Sequence, residues 1–220
     1  MLDIEKRICR SAYFSSLEEA NDAFTLPNLF VELRFDLSNF SVADILKIKR
    51  PSKLIFTCRK GKYSFEERLK AYSIALELGV EMVDLDFEND LDLIRKLNIK
   101  IKDSNTKLIL SSHNYESSPS MEMLKEKAQK AFALGADFVK IVTSAQSLEQ
   151  IQMIENLYSH FDHLIAFSMG NIGEELRAKI LYLGAPFTYA SFDNINKTAS
   201  GQLDYHQTLE LVNSLKKEAL

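Results

Sequence analysis

The sequence has little of several features that define large classes of proteins. Cys9 and Cys58 are its only cysteines and do not form a ligand-like pair, which excludes a cysteine-based zinc module and a disulfide framework. No apolar run approaches the ~18 residues of a membrane-spanning helix, and residues 1–10 are too charged for a signal peptide. The net charge of −4 provides no positive field for nucleic acid or anionic lipid. We therefore expect a cytoplasmic protein without nucleic-acid or membrane partners and without a metal site.

Glycine and proline are also scarce, with 7 and 4 residues, and no low-complexity or linker-like stretch divides the chain. At 220 residues, of which 46% are hydrophobic, the chain is long enough to bury a sizeable core. These features predict a single domain over residues 1–220.

Short apolar runs alternate along the chain with longer amphipathic stretches. The predicted strands are Arg7–Ala12, Leu29–Asp36, Lys53–Arg59, Glu81–Phe87, Thr106–His113, Asp137–Thr143, His163–Met169 and Phe187–Ser191. Helical spacing is clearest in Phe65–Leu76 and Met121–Leu134, and a glycine follows each of these helices. Alternating strands and helices predict a parallel sheet covered by helices, and eight units suit a (β/α)₈ TIM barrel. A doubly wound open sheet is the alternative, although its dinucleotide-binding form would need a Gly-x-Gly-x-x-Gly motif that is missing after the first strand.

Ionisable residues stand near the carboxyl ends of five consecutive predicted strands. On the second strand, Glu32, Arg34 and Asp36 alternate with apolar residues, so the three charges share one face. The ionisable residues of the next four strands are, in order, Arg59, Asp84 with Asp86, His113, and Lys140. In a parallel barrel these faces point inward at the mouth, where active sites lie and unpaired charge is costly to bury. One buried His or Lys is more often structural, but five such strands favour an active site.

His113 and Lys140 are the residues best suited to chemistry in this set. They end consecutive strands, which lie ~4.8 Å apart in a sheet, so their side chains can meet on one small molecule. Lys140 stands between Val139 and Ile141, and we expect desolvation and nearby Arg and His charges to favour its neutral amine. A neutral amine can attack a ketone to form an imine, and His113 can move a proton beside it.

Two later loops provide groups that can bind an anion. Residues 167–173 contain two glycines and lead into a predicted helix that carries Arg177. Residues 198–202 form a polar loop after the last strand. Glycines at a helix N-terminus can hold a phosphate or a carboxylate, although an ordinary turn accounts for either loop equally well.

At these residues the sequence resembles the type I 3-dehydroquinate dehydratases, the Schiff-base dehydroquinases of the shikimate pathway. The resemblance runs from about Glu5 to Gln202. The motifs that carry it are Glu32-Leu-Arg34-x-Asp36, Thr57-Cys-Arg59, Ser111-Ser-His-Asn114, Phe138-Val-Lys-Ile141, Phe167-Ser-Met-Gly170, Arg177 and Gly201-Gln202. The resemblance implies a (β/α)₈ barrel, a homodimer, and no metal or organic cofactor. It also implies the third step of that pathway, the syn elimination of water from the small-molecule substrate 3-dehydroquinate to give 3-dehydroshikimate.

The resemblance further implies roles for single residues. Lys140 would form the imine with the C3 ketone, and His113 would take the C2 proton and then protonate the departing C1 hydroxyl. The residues implied to bind substrate are Arg177, Gln202 and Thr198 at the carboxylate and Glu32, Arg34 and Arg59 at the ring hydroxyls. The predicted supporting residues are Asp84, Asp86 and Met169.

The segment after Arg59 departs from the family pattern. The family usually has a Glu and a Gly-Gly pair there, and that Glu orients the catalytic histidine. This chain has the shorter segment Lys60-Gly-Lys-Tyr-Ser64, without a carboxylate. The group that orients His113 is therefore left open, with Asp84 and Asp86 as candidates.

Two other functions compete with this interpretation. A class I aldolase or transaldolase also uses a barrel lysine, but the Glu-x-Arg pair on the second strand suits a polyhydroxylated ring better than a sugar phosphate. A small-carboxylate binding module, derived from a barrel that has lost its activity, is the hypothesis without catalysis, and the missing Glu is its best support.

Overall fold

The computed structural model describes residues 4–114, 119–193, 197–198 and 202–218. The strands formed there are β1 (Ile8–Ala12), β2 (Phe30–Arg34), β3 (Lys53–Thr57), β4 (Met82–Asp86), β5 (Lys107–His113), β6 (Phe138–Ser144), β7 (Leu164–Met169) and β8 (Thr188–Ser191). The α-helices are α1 (Leu17–Ala23), α2 (Phe65–Glu77), α3 (Leu91–Lys102), α4 (Met121–Ala133), α5 (Leu148–Leu157), α6 (Glu174–Leu183) and α7 (Tyr205–Glu218). Short 3₁₀ helices occupy Ile4–Arg7, Val42–Lys47 and Asn171–Gly173. None of the helices in the described ranges is long and apolar enough to cross a membrane.

The strands form one parallel sheet in the order β7-β6-β5-β4-β3-β2-β1-β8. From β1 to β7, strands that are consecutive in the chain are hydrogen-bonded neighbours, and β8 returns to pair with β1. This order curls the sheet into a nearly closed barrel, whereas a doubly wound sheet reverses its strand order at a switch point. The predicted (β/α)₈ barrel is therefore confirmed, and the open-sheet alternative is wrong. Within the described residues no ladder joins β7 to β8, where the rings of Phe167 and Tyr189 lie 6.3 Å apart.

Local sequence signals account for the helix boundaries. Ser64 caps α2 by accepting a hydrogen bond from the Glu67 amide, and the Glu67 carboxylate accepts one from the Ser64 amide in return. Gly79 and Gly135 follow α2 and α4 with φ angles of 68° and 96°, in the left-handed region that glycine enters without strain. The helices that these signals predict from the sequence are confirmed.

The amino end of the barrel interior is filled with aromatic rings. The ring of Phe187 lies 5.0 Å from that of Phe30, 6.0 Å from that of Phe138 and 5.5 Å from that of Tyr189. Phe30, Phe187 and Tyr189 are at most 4% exposed, and Phe138 is partly buried. Because apolar rings close this end, polar side chains that point inward collect at the carboxyl end of the strands.

A buried ion pair supports that carboxyl end from outside the sheet. Arg68 on α2 donates to Asp90, the residue before α3, with an Nη1–Oδ1 distance of 2.7 Å. Its Nε also donates to the Cys58 carbonyl at 2.9 Å, just after β3. Both charged side chains are 3% exposed, so each charge is compensated by the other and not by water. This pair connects the loops after β3 and β4, which both contribute to the site.

Candidate active site

The carboxyl ends of the strands surround a cavity of about 460 Å³. The lining includes every site residue predicted from the sequence except Asp84, which is fully buried and contacts Lys140. These lining residues are Glu32, Arg34, Arg59, Asp86, His113, Lys140, Met169, Arg177, Thr198 and Gln202. Residues that are far apart in the chain are therefore brought together around one space, large enough for a small molecule.

The amine of Lys140 is held by negative groups at the floor of this cavity. Its Nζ lies 3.1 Å from Asp84 Oδ2 and 3.6 Å from Glu32 Oε1, and Lys140 is 5% exposed. The sequence predicts arginine and histidine near this amine, and Arg59 and His113 do line the same cavity. The charged groups in contact with Nζ are nevertheless Asp84 and Glu32, which point inward from β4 and β2.

Asp84 joins the two basic groups of the site. Its Oδ1 accepts hydrogen bonds from Ser111 Oγ at 2.5 Å and from Arg59 Nη2 at 2.9 Å, while Oδ2 faces Lys140. Complete burial would by itself raise the pKa of Asp84, but the charges of Arg59 and Lys140 outweigh it and hold the pKa below its usual value. Asp84 is thus an anion at neutral pH that fixes both cations.

His113 stands beside Arg59 at the end of β5. The Arg59 Nη2 lies 3.3 Å from His113 Nε2, and because a guanidinium only donates, Nε2 accepts in this contact. Burial, followed by the positive charges of Arg59 and Lys140, holds the pKa of His113 well below 6.5. The imidazole is therefore neutral at pH 7, with a lone pair on Nε2, which is the form that a general base requires.

Glu32 is positioned by two hydroxyl groups on neighbouring strands. Ser11 Oγ on β1 donates to Oε2 at 2.5 Å, and Thr57 Oγ1 on β3 donates to Oε1 at 2.9 Å. With both oxygens bound, the carboxylate keeps one orientation beside Lys140.

Thr198 and Gln202 close one side of the cavity. Thr198 Oγ1 lies 2.9 Å from Ser11 Oγ and 2.9 Å from Gln202 Oε1, which also accepts a hydrogen bond from the Thr198 amide. Gln202 is 3% exposed. Gly201, the other residue of the predicted Gly-Gln motif, lies outside the described residues.

Arg177 is a buried cation, and two of its guanidinium nitrogens lack a hydrogen-bonding partner among the residues that the structure describes. It is 4% exposed, and its Nε and Nη2 are buried with no acceptor in the described part of the chain. Its guanidinium lies 5.2 Å from the centre of the Phe167 ring. Burial lowers the pKa of Arg177 to about 10, so the group is still charged at neutral pH. Because unpaired buried donors are costly, this arrangement is suited to bind an anion in the cavity.

The start of α6 brings Arg177 to this place. Gly173 precedes the helix, and a Cβ there would collide with the Ser168 carbonyl on β7. Only glycine permits so close an approach of helix and strand. Gly173, one of the two glycines predicted to cradle an anion, therefore serves the packing of helix on strand.

The remaining predicted residues make local contacts at the rim. Arg34 forms two hydrogen bonds with Asp36, with an Nη2–Oδ2 distance of 2.7 Å. Asp86 accepts hydrogen bonds from the amides of Glu88 and Asn89 and so shapes its own loop. Met169 is partly buried at the end of β7 and lines the cavity.

A sequence profile of the type I 3-dehydroquinase family matches residues 8–219 of this chain. The chain belongs to that family. Relatives include the 3-dehydroquinate dehydratases of Dehalococcoides mccartyi, 30% identical over 86% of this chain and 87% of theirs, and of Thermococcus onnurineus, 36% identical over 78% and 80%. Among solved structures, a type I 3-dehydroquinate dehydratase from Clostridium difficile with covalently modified comenic acid has a TM-score of 0.83. It is 19% identical, with 96% of this chain and 93% of that chain covered, and shows the shared fold.

The segment that follows Arg59 in this dehydroquinase family member has a defined structure. Lys62 Nζ donates to the Ser38 carbonyl and Tyr63 Oη to the Phe40 carbonyl, each at 2.6 Å. These bonds attach the segment to the loop after β2. Two carboxylates were the candidates for orienting His113. Asp84 is connected to His113 through Arg59, which contacts both side chains. Asp86 instead accepts hydrogen bonds from the amides of its own loop.

Several side chains of this dehydroquinase site were not predicted. Ser11 and Thr57 orient Glu32, and the ring of Tyr189 lies under Lys140 with its centre 3.9 Å from Nζ. Period-two alternation places Ser11 on the inward face of β1, so a systematic test of inward polar residues would have found it. Tyr189 has no such signal, because an aromatic residue in a strand is ordinarily part of the core.

Proposed function

We propose that the protein is a 3-dehydroquinate dehydratase that eliminates water from its substrate through a Schiff base on Lys140. The observation that carries the proposal is a buried lysine amine, a neutral histidine and a buried arginine around one cavity, with Nε and Nη2 of that arginine lacking an acceptor among the described residues. The amine provides the nucleophile, the imidazole provides the base, and the guanidinium provides a site for the substrate carboxylate. Family membership supports the same reaction, as the relatives are named for it.

The first half of the reaction forms the imine. The Lys140 ammonium transfers a proton to a neighbouring acceptor, and Asp84 and Glu32 are the nearest. Nζ then bonds to the C3 carbonyl carbon, and the oxygen leaves that carbon as water after accepting two protons. The product is a protonated imine, which withdraws electrons from the C2–H bond and weakens it.

The second half moves one proton through His113. The neutral imidazole removes the C2 proton, and the electron pair of that bond moves toward the imine nitrogen to give an enamine. The electrons return as the C1–O bond breaks, and the imidazolium protonates the departing hydroxyl so that it leaves as water. Hydrolysis of the conjugated imine then releases 3-dehydroshikimate and frees Lys140.

Binding groups hold the substrate for these steps. Arg177 with Thr198 and Gln202 would bind the carboxylate, while Glu32, Arg34 and Arg59 would bind ring hydroxyls. The proposal also includes a single barrel domain over residues 1–220, a homodimer, a cytoplasmic location and no cofactor.

Turnover separates this function from its two competitors. We expect purified protein with 3-dehydroquinate to generate the enone absorbance of 3-dehydroshikimate, and no aldol cleavage of sugar phosphates. An aldolase would show the opposite preference. Calorimetric binding of 3-dehydroquinate without any enone would support the binding module and contradict the proposal.

Arg177→Met should raise KM for 3-dehydroquinate by about 10- to 100-fold and change kcat much less, because a charge-assisted hydrogen bond is worth ~1.5–3 kcal/mol. Without substrate the variant should be at least as stable as the parent, since it removes an unpaired buried charge. Lys179→Met on the same helix is the control, because Lys179 pairs outside the site with Glu155 at 2.7 Å. An unchanged KM in Arg177→Met would remove Arg177 from the carboxylate site.

A further inference from the structure

We propose that Tyr189 is a further catalytic residue, whose aromatic face stabilises the positive charge of the imine on Lys140. This inference rests on the proposed Schiff-base function. Its basis is the position of Lys140 Nζ, 3.9 Å from the centre of the Tyr189 ring. A cation within about 6 Å of a ring face is attracted by the quadrupole of the ring, most strongly where water is excluded.

The surroundings of Tyr189 exclude water from this contact. Tyr189 is 3% exposed and Lys140 is 5% exposed. Phe187 and Phe167 pack beside the tyrosine, with ring centres at 5.5 and 6.3 Å. The Lys140 nitrogen therefore has the carboxylates of Asp84 and Glu32 as charged neighbours and the face of the Tyr189 ring as an apolar neighbour.

The ring, not the hydroxyl, is the part that acts on the nitrogen. Burial, together with the charges of Glu32 and Asp84, raises the pKa of Tyr189 well above its ordinary value, so the phenol is neutral. A neutral phenol does not take up the proton of the imine as a carboxylate can. Its Oη is buried without a partner in the described part of the chain, so the local structure does not depend on it.

The charge of the nitrogen changes during the reaction, which gives the ring a catalytic effect. The carbinolamine that precedes the imine is neutral at nitrogen, and the protonated imine is cationic. The ring attracts the Lys140 ammonium of the free enzyme in the same way. Its effect therefore belongs to this one step, in which it shifts the equilibrium from the neutral carbinolamine toward the cationic imine, the species from which the C2 proton is removed. Loss of the ring should reduce the imine population without removing any group that binds the substrate carboxylate.

Two variants at this position separate the ring from its hydroxyl. Tyr189→Phe keeps the ring and should retain kcat and the borohydride-trapped fraction of Lys140 within about two-fold. Tyr189→Leu should lower both by roughly 3- to 30-fold, the range expected from a desolvated cation–π contact, with KM within about three-fold.

A third variant controls for loss of a buried ring. Phe24→Leu removes a ring that is 4% exposed, packs against Phe14 and is not part of the cavity lining, so it should reduce thermal stability without reducing trapping. If Tyr189→Leu traps as much imine and turns over as fast as Phe24→Leu, the role of Tyr189 is disproved. If the parent protein itself gives no adduct with substrate and borohydride, the Schiff-base function fails instead, and the two outcomes cannot be confused.

Discussion

Lys140→Ala should lose turnover of 3-dehydroquinate by about 10⁴- to 10⁶-fold, the loss seen when a covalent nucleophile is removed. No other described lysine is in the cavity lining except the exposed Lys60, so no amine replaces the missing one in the buried floor. Lys140→Arg should be similarly inactive, because it restores the charge beside Asp84 and Glu32 but cannot form an imine. Substrate binding through Arg177 should persist in both variants and can be measured by calorimetry.

Mass spectrometry provides the direct measurement for Lys140. After treatment with 3-dehydroquinate and borohydride, the parent protein should carry the mass of the reduced ligand on the peptide that contains Lys140. Neither Lys140 variant should carry it. Lys107→Ala is the control, because Lys107 lies at the amino end of β5 and pairs with Asp137 at 2.8 Å. An active Lys140→Ala variant without adduct in the parent would refute covalent catalysis.

His113→Ala should reduce kcat by about 10²- to 10⁴-fold, the usual contribution of a positioned acid or base. The amine of Lys140 remains in this variant, so imine formation can continue while the C2 proton is retained. Borohydride should therefore trap as much adduct as in the parent, or more. If His113→Ala keeps normal turnover, the proton transfer belongs to another group.

The pH dependence of kcat/KM tests the state of His113 in the free enzyme. Because burial, together with the charges of Arg59 and Lys140, holds the pKa of His113 below 6.5, the neutral base persists to lower pH, and the acid limb should fall below pH 6.5. Arg59→Gln removes one of these positive charges and should move that limb upward toward 6.5. A limb that stays in place in Arg59→Gln would show that Arg59 does not set the protonation of His113.

The strands and the barrel could be predicted because their signals are local. Apolar runs of strand length, amphipathic helices and the glycines at positions 79 and 135 repeat often enough to define a β/α alternation. The predicted carboxyl ends of two strands were wrong. The second strand was predicted to end at Asp36 and the third at Arg59, whereas β2 ends at Arg34 and β3 at Thr57. Asp36 and Arg59 consequently lie in the loops that follow, where turn formation competes with the sheet. Both side chains still reach the site from there.

The candidate residues could also be predicted, because charged side chains that point inward at strand ends are costly to bury unless they face a ligand or each other. Glu32, Arg59, His113 and Lys140 were all identified from alternation and position. Their partners were not. Positive charges were predicted near Lys140, whereas the charged groups in contact with its amine are Asp84 and Glu32. It left the partner of His113 open between two carboxylates, and Arg59 is the group in contact with Nε2.

The sequence by itself determined the class of fold, the inward set of ionisable residues and the likeness to the type I 3-dehydroquinase family. Only the tertiary structure decided which of these groups touch. Lys140 and Asp84 are 56 residues apart, and their contact depends on the register of the strands between them and on the tilt that closes the barrel. Register and tilt result from packing of the whole sheet. For that reason the hydrogen bond from Ser11 to Glu32 and the contact of Tyr189 with Lys140 could be seen only in the folded barrel.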